Sequence, residues 1–159
     1  MIAQSGPTTP RSDTPVGLRY ALIPLHGNGI AAATVTQMLD PDSAGTARLL
    51  HPGEGVPYGA HPVLLAETTV YGAVCVEQML RGWHTGLPRP WLVLIGDAPI
   101  RPVRAARYRF RALEGRLAGV ATVPYLPVLR TVEGAAEAFE HTEVKAAAQK
   151  LRRQMEGTL

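Results

Sequence analysis

LRYALIPLHGNGIAAATVTQML, Leu18 to Leu39, decides how this chain is read. Leu18 to Leu25 is a short apolar run suited to a buried strand. Ile30 to Leu39 is alanine-rich, with apolar residues at helical spacing. Between them His26, Gly27, Asn28 and Gly29 make a turn of small residues, and Asn28, the only asparagine, tolerates left-handed backbone angles. Strand, glycine turn and helix in that order are the opening unit of an α/β sheet. There, backbone N–H groups and a helix start can close around an anion.

Outward from this unit the pattern repeats. Val63 to Ala66 (VLLA), Trp91 to Gly96 (WLVLIG) and Gly119 to Pro124 (GVATVP) read as three further strands. Helices are expected over about 71–83, 101–117 and 140–155, the second with Val103, Ala106, Phe110, Leu113 and Leu117 as its apolar stripe. The third has Val144, Ala148, Leu151 and Met155 on its apolar face, and either docks a partner or packs back on its own sheet. Asp40 to Pro62 is the longest loop, with a small helix expected around 43–50. Residues 1–17, rich in Pro, Thr and Ser, read as a disordered leader, 18–139 as the α/β domain and 140–159 as a C-terminal helix. Four apolar runs alternating with helices predict a three-layer, mostly parallel sheet covered on both faces. Ligands of such sheets bind beyond the carboxyl ends of the strands.

Composition narrows the chemistry. The chain has 159 residues, 16 basic and 13 acidic, which is one domain with a modest net charge of +3. No run is long and apolar enough for a membrane span, so membrane insertion is not expected and a cytoplasmic location is. Cys75 is the only cysteine, which excludes an internal disulfide and a cysteine-based metal cage, and its apolar helical setting predicts a buried, inert thiol. His26, His51, His61, His84 and His141 lack metal-like spacing. No G-x-S-x-G is present, and the three serines all lie at or before Ser43. Neither a catalytic residue nor a metal ligand is assigned.

Phosphoryl transfer needs a cation on the β/γ-phosphates and a hydroxyl on magnesium, as in G-x-x-x-x-G-K-[ST]. The first lysine here is Lys145, and no Ser or Thr follows the turn directly. The order of the pieces nevertheless resembles the MinD/ParA group of P-loop ATPases, whose loop reads K-G-G-x-G-K-T-T. Val63 to Trp83 is similar to that group's strand and helix after its switch region. Trp91 to Pro99 is similar to the strand entering its base-contacting loop, and Leu117 to Ala136 to its closing segment. The H-G-N-G turn is also similar to the H-G-G-x-G loop of small actinobacterial proteins associated with integrative conjugative elements.

The resemblance implies a shortened P-loop NTPase-like, Rossmann-like fold with a degenerate loop. His26 stands at the signature lysine and Gly27 at the first glycine. Aligned without a gap, Ile30 replaces the last glycine and Ala31 the catalytic lysine; with one deletion, Gly29 is kept and Ile30 replaces the lysine. Three readings follow. In the first, the chain is a catalytically silent accessory factor working through a protein partner in a plasmid or conjugative system, with no cofactor and the turn as relic or weak anion site. In the second, it is a regulator that still binds ATP or GTP through His26 to Gly29, with weak activity or activity dependent on a lysine supplied by a partner, and with Glu67, Thr68 and Asp97 near the nucleotide. Against this second reading, Thr68 and Thr69 with Glu67 read as a helix N-cap cluster, and Asp97 as the cap of the next element. In the third, Arg101, Arg104, Arg107 and Arg111 share a helix face that grips nucleic-acid phosphates or an acidic partner, against the default of a solvated face. The resemblance also raises a homodimer, since that group dimerises across its nucleotide.

Overall fold

In the computed structural model, residues 17–27 and 29–157 are described. The leader up to residue 16 and Asn28 lie outside them. The strands are β1 (Tyr20–Pro24), β2 (Ala47–Leu49), β3 (His61–Glu67), β4 (Trp91–Ile95) and β5 (Gly119–Val123). The helices are α1 (Ile30–Leu39), α2 (Val70–Arg81), α3 (Arg104–Leu113), α4 (Ala135–Ala138) and α5 (Thr142–Glu156). All strands run parallel, in the order β2-β1-β3-β4-β5. The fold is a three-layer, Rossmann-like α/β sandwich with the strand order of flavodoxin-type doubly wound sheets. Its chain reverses direction across the sheet at β1 and β3, so the carboxyl ends of those two strands frame the switch point where such folds hold ligands.

Alternation along each strand explains both layers. Tyr20 and Leu22, Val63 and Leu65, and Val93 point to one face, where they meet Val35 and Met38 of α1 and Val144, Ala148 and Leu151 of α5. Leu64 and Ala66, Leu92 and Leu94 point to the other, against Val76 and Leu80 of α2 and Phe110 of α3. Central strands buried on both sides need continuous apolar sequence, and VLLA and WLVLI supply it. The C-terminal helix packs back on the sheet, as one of its two expected placements had it. Its Arg152 Nη1 donates to the Met38 carbonyl at 2.8 Å, closing the end of α1, and the Gln154 side chain accepts from Thr122 N on edge strand β5 at 2.9 Å.

Three expectations are corrected. The stretch around 43–50 is no helix; it holds β2, a fifth strand. Asp40 accepts backbone N–H bonds from Ala44 and Gly45, both at 2.8 Å, and Ser43 takes a positive φ of 52°. This closes a turn that delivers Ala47–Leu49 alongside β1. Burial of Asp40 works to raise its pKa, yet these amide bonds together hold it below the ordinary carboxylate value. The arginine helix runs only from Arg104 to Leu113, followed by a 3₁₀ turn at Glu114–Arg116, because Pro102 disfavours helix at Arg101. Arg101 therefore precedes the helix, and Val103 is its N-cap residue, 56% exposed, not part of the buried stripe. Cys75 is half-buried, one turn after Tyr71 on α2, and its proximity raises the Tyr71 pKa.

The β2–β3 connection differs from the others. A crossover between parallel strands usually carries a helix over the sheet. Residues 50–60 carry none, since Pro52, Gly53, Gly55, Pro57 and Gly59 oppose one. Only Leu50 and Ala60 bury against Ala21, leaving Ile23 and Leu25 to line a groove.

Candidate functional site

The glycine turn lies at the carboxyl end of β1, at the switch point. Gly27 has φ +93°, a left-handed conformation that side chains rarely adopt, and this requires glycine directly after His26. Gly29 is the N-cap residue of α1 and contributes no side-chain cap, and the first turn holds no acid. Among the described residues, no side chain caps the opening N–H groups of α1. The turn borders a cleft of about 170 Å³ lined by His26, Gly27, Gly29, Ala31, Glu67 and Asp97, among others. The sheet thus brings together three of the predicted turn residues, His26, Gly27 and Gly29, and both predicted carboxylates, from the ends of β1, β3 and β4.

Their bonding sorts the roles. Thr68 Oγ1 donates to Asp97 Oδ1 at 3.0 Å, which ties the β3 and β4 loops. Asp97 does not cap the next helix, contrary to the expectation, because α3 begins at Arg104 with Val103 as its N-cap residue and no side-chain cap. Thr69 does cap α2: its hydroxyl accepts from Gly72 N at 2.9 Å. Gly72 is fixed by close approach, since a Cβ there would collide with the Glu67 carbonyl. His26 Nε2 is buried with no hydrogen-bond partner among the described residues, and its ring lies 5.7 Å from that of Tyr71. A buried unpaired imidazole nitrogen costs about 1–3 kcal/mol. The sequence singled out His26 but gave no sign of its partner, because Tyr71 lies forty-five positions away.

Among the described residues, the lining of this cleft contains Glu67 and Asp97 and neither Lys nor Arg. Among the described residues no three His, Cys, Asp or Glu side chains group closely enough to hold a metal ion. Beyond Ala31 and Gly96 an apolar hollow of about 210 Å³ opens between α1 and residues 123–130.

The arginine face is elsewhere, on the outer side of α3. Arg104 and Arg111 are exposed, Arg107 is half-buried and donates to the Pro102 carbonyl at 3.4 Å, and none of the three pairs with a carboxylate among the described residues. Tyr108, missed in the sequence, is 76% exposed on the same helix. Its signal was legible as an aromatic falling opposite Phe110 in the helical repeat.

The largest hollow lies on the opposite side of β1 from the cleft. Pro24 and Gly27 border both. Its volume is about 660 Å³, over Ile23 and Leu25, between residues 50–56 and the end of α2 with the turn after it. No described helix is long and apolar enough to cross a membrane. No family model, curated protein or solved structure matches this chain.

Proposed function

We propose that this protein works by binding and performs no phosphoryl transfer, as a degenerate relative of the MinD/ParA ATPases acting as an accessory factor through contacts with a protein partner. The setting suggested by the H-G-N-G turn is a plasmid or conjugative-transfer system. The observation that carries the reading is the lining of the turn cleft. Among the described residues, a polyphosphate there would face Glu67 and Asp97 with no lysine or arginine on the lining to offset them. At about 170 Å³ the cleft is also below the roughly 300–1,000 Å³ of small-ligand sites.

Thermal melting with Mg-ATP or Mg-GTP tests this. A nucleotide at a hundred times its Kd adds about 2.7 kcal/mol, a shift of several degrees. We expect no shift at millimolar nucleotide. A clear rise would overturn the silent reading and support the nucleotide-binding regulator.

A second reading is favoured by Tyr108, which supplies an aromatic surface among Arg104, Arg107 and Arg111 for nucleic acid. It requires a salt-dependent DNA affinity that collapses in Arg104→Ala/Arg107→Ala; unchanged binding would sink it.

A further inference from the structure

The groove under the helix-less β2–β3 connection is the feature that the proposed function leaves unused. Its floor is Ile23 and Leu25, and its apolar walls are Val56 on one side and Met79, Trp83 and Leu87 on the other. Both walls are held by bonds of their own. Arg48 grips Glu54 with two hydrogen bonds, 3.1 and 2.8 Å, and Glu54 also accepts from His51 N at 2.8 Å. Opposite, Trp83 Nε1 donates to the Pro88 carbonyl at 3.0 Å, and Gly86 N donates to His84 Nδ1 at 3.0 Å.

The size selects the occupant. The groove encloses about 660 Å³. This volume falls within the range of small-molecule sites, which are apolar with a few placed polar groups.

The polar groups select its chemistry. Because His84 Nδ1 accepts a hydrogen bond, the neutral imidazole carries its proton on Nε2 and offers a donor. Glu54, the one acid on the lining, has both oxygens occupied by Arg48, so it does not oppose an acceptor. We propose that this groove binds a compact apolar molecule carrying one hydrogen-bond acceptor, a carboxylate or an equivalent acidic group, with the rings or chain over Ile23 and Leu25 and the acceptor at His84. This site is separate from the glycine-turn cleft, and its test is independent of nucleotide binding.

The probe is 1-anilinonaphthalene-8-sulfonate, with N-phenyl-1-naphthylamine as the same ring system without the acid. The full chain should bind the sulfonate at one saturable site, with energy transfer from Trp83 in a Trp91→Phe background, and should melt at a higher temperature with it. Val56→Trp, which fills the groove, should weaken both probes at least tenfold. His84→Phe should weaken the sulfonate several-fold and leave the uncharged probe unchanged. In the unaltered chain, which needs no variant to fold, amide exchange should slow over residues 51–56 and 79–87. A lowered melting temperature, binding without saturation, protection confined to other segments, or equal loss of both probes in His84→Phe would each overturn the assignment.

Discussion

Two hollows lie on either side of the carboxyl end of β1, with Pro24 and Gly27 common to both, and they have opposite characters. The one above the glycine turn is small and lined by two carboxylates. The one below is nearly four times larger and apolar. A conspicuous motif marks the first, whereas only a proline- and glycine-rich loop borders the second. A turn's backbone geometry is specified by a few adjacent residues, whereas a cavity is specified by whatever does not cover it. Here the uncovered area results from one crossover that prolines and glycines keep from becoming a helix.

The comparison can be broken most forcefully on the cleft side. Gly72→Ala sets a Cβ against the Glu67 carbonyl at the start of α2, and the expected cost is about 1–3 kcal/mol or more, measured by urea unfolding. A neutral effect would mean that the β3 loop is soft and that the cleft is not preformed. Thr69→Ala removes the cap of the same helix and should cost about 1 kcal/mol while leaving the groove intact.

On the groove side the leading lever is acid. Pairing with Arg48, helped by the His51 amide, holds the Glu54 carboxyl down to about 2 from an ordinary 4.5. A carboxylate whose folded pKa is depressed contributes stability that is complete above the unfolded value and is lost as pH falls through the folded one. The 50–57 wall should therefore loosen only between about pH 4.5 and 2. Carboxyl NMR should place the Glu54 midpoint near 2 in the unaltered chain, and well above it in Arg48→Ala. Equal midpoints would show that the ion pair does not hold this wall. The smallest expected effect is His26→Phe, which keeps the ring contact with Tyr71 and removes the unpaired nitrogen. It should leave stability unchanged or raise it by up to about 1 kcal/mol. A loss would mean that Nε2 has a partner in solution.

How much could be read beforehand follows the same division. Ile30–Leu39 was legible to the residue, because a glycine turn bounds it and its alanines favour helix. The central strands were legible because burial on both faces writes continuous apolar runs. Ala47–Leu49 was not: three residues carry little local preference, and pairing with Tyr20–Leu22 makes them a strand. Periodicity alone extends the helix over Arg101 and Val103, whereas Pro102 between them carries the local signal that bounds it at Arg104. The carboxylates of the cleft were placed correctly at strand ends, but which of them caps, ties or stays free depends on loops brought together by the sheet. The groove draws on residues from β1, the 50–60 connection and α2, and its existence required knowing that no helix lies there.

Under both proposals, ligand binding belongs to the groove beneath β1 and not to the glycine turn. One ¹H–¹⁵N spectrum of the full chain, titrated separately with Mg-ATP and with 1-anilinonaphthalene-8-sulfonate, tests it most directly. The account predicts that millimolar Mg-ATP leaves the Gly27, Ile30 and Ala31 amides in place, while the sulfonate moves those of residues 51–56 and 82–87 to saturation. Saturable shifts at Ile30 and Ala31 with Mg-ATP, and none in the groove with the sulfonate, would contradict it.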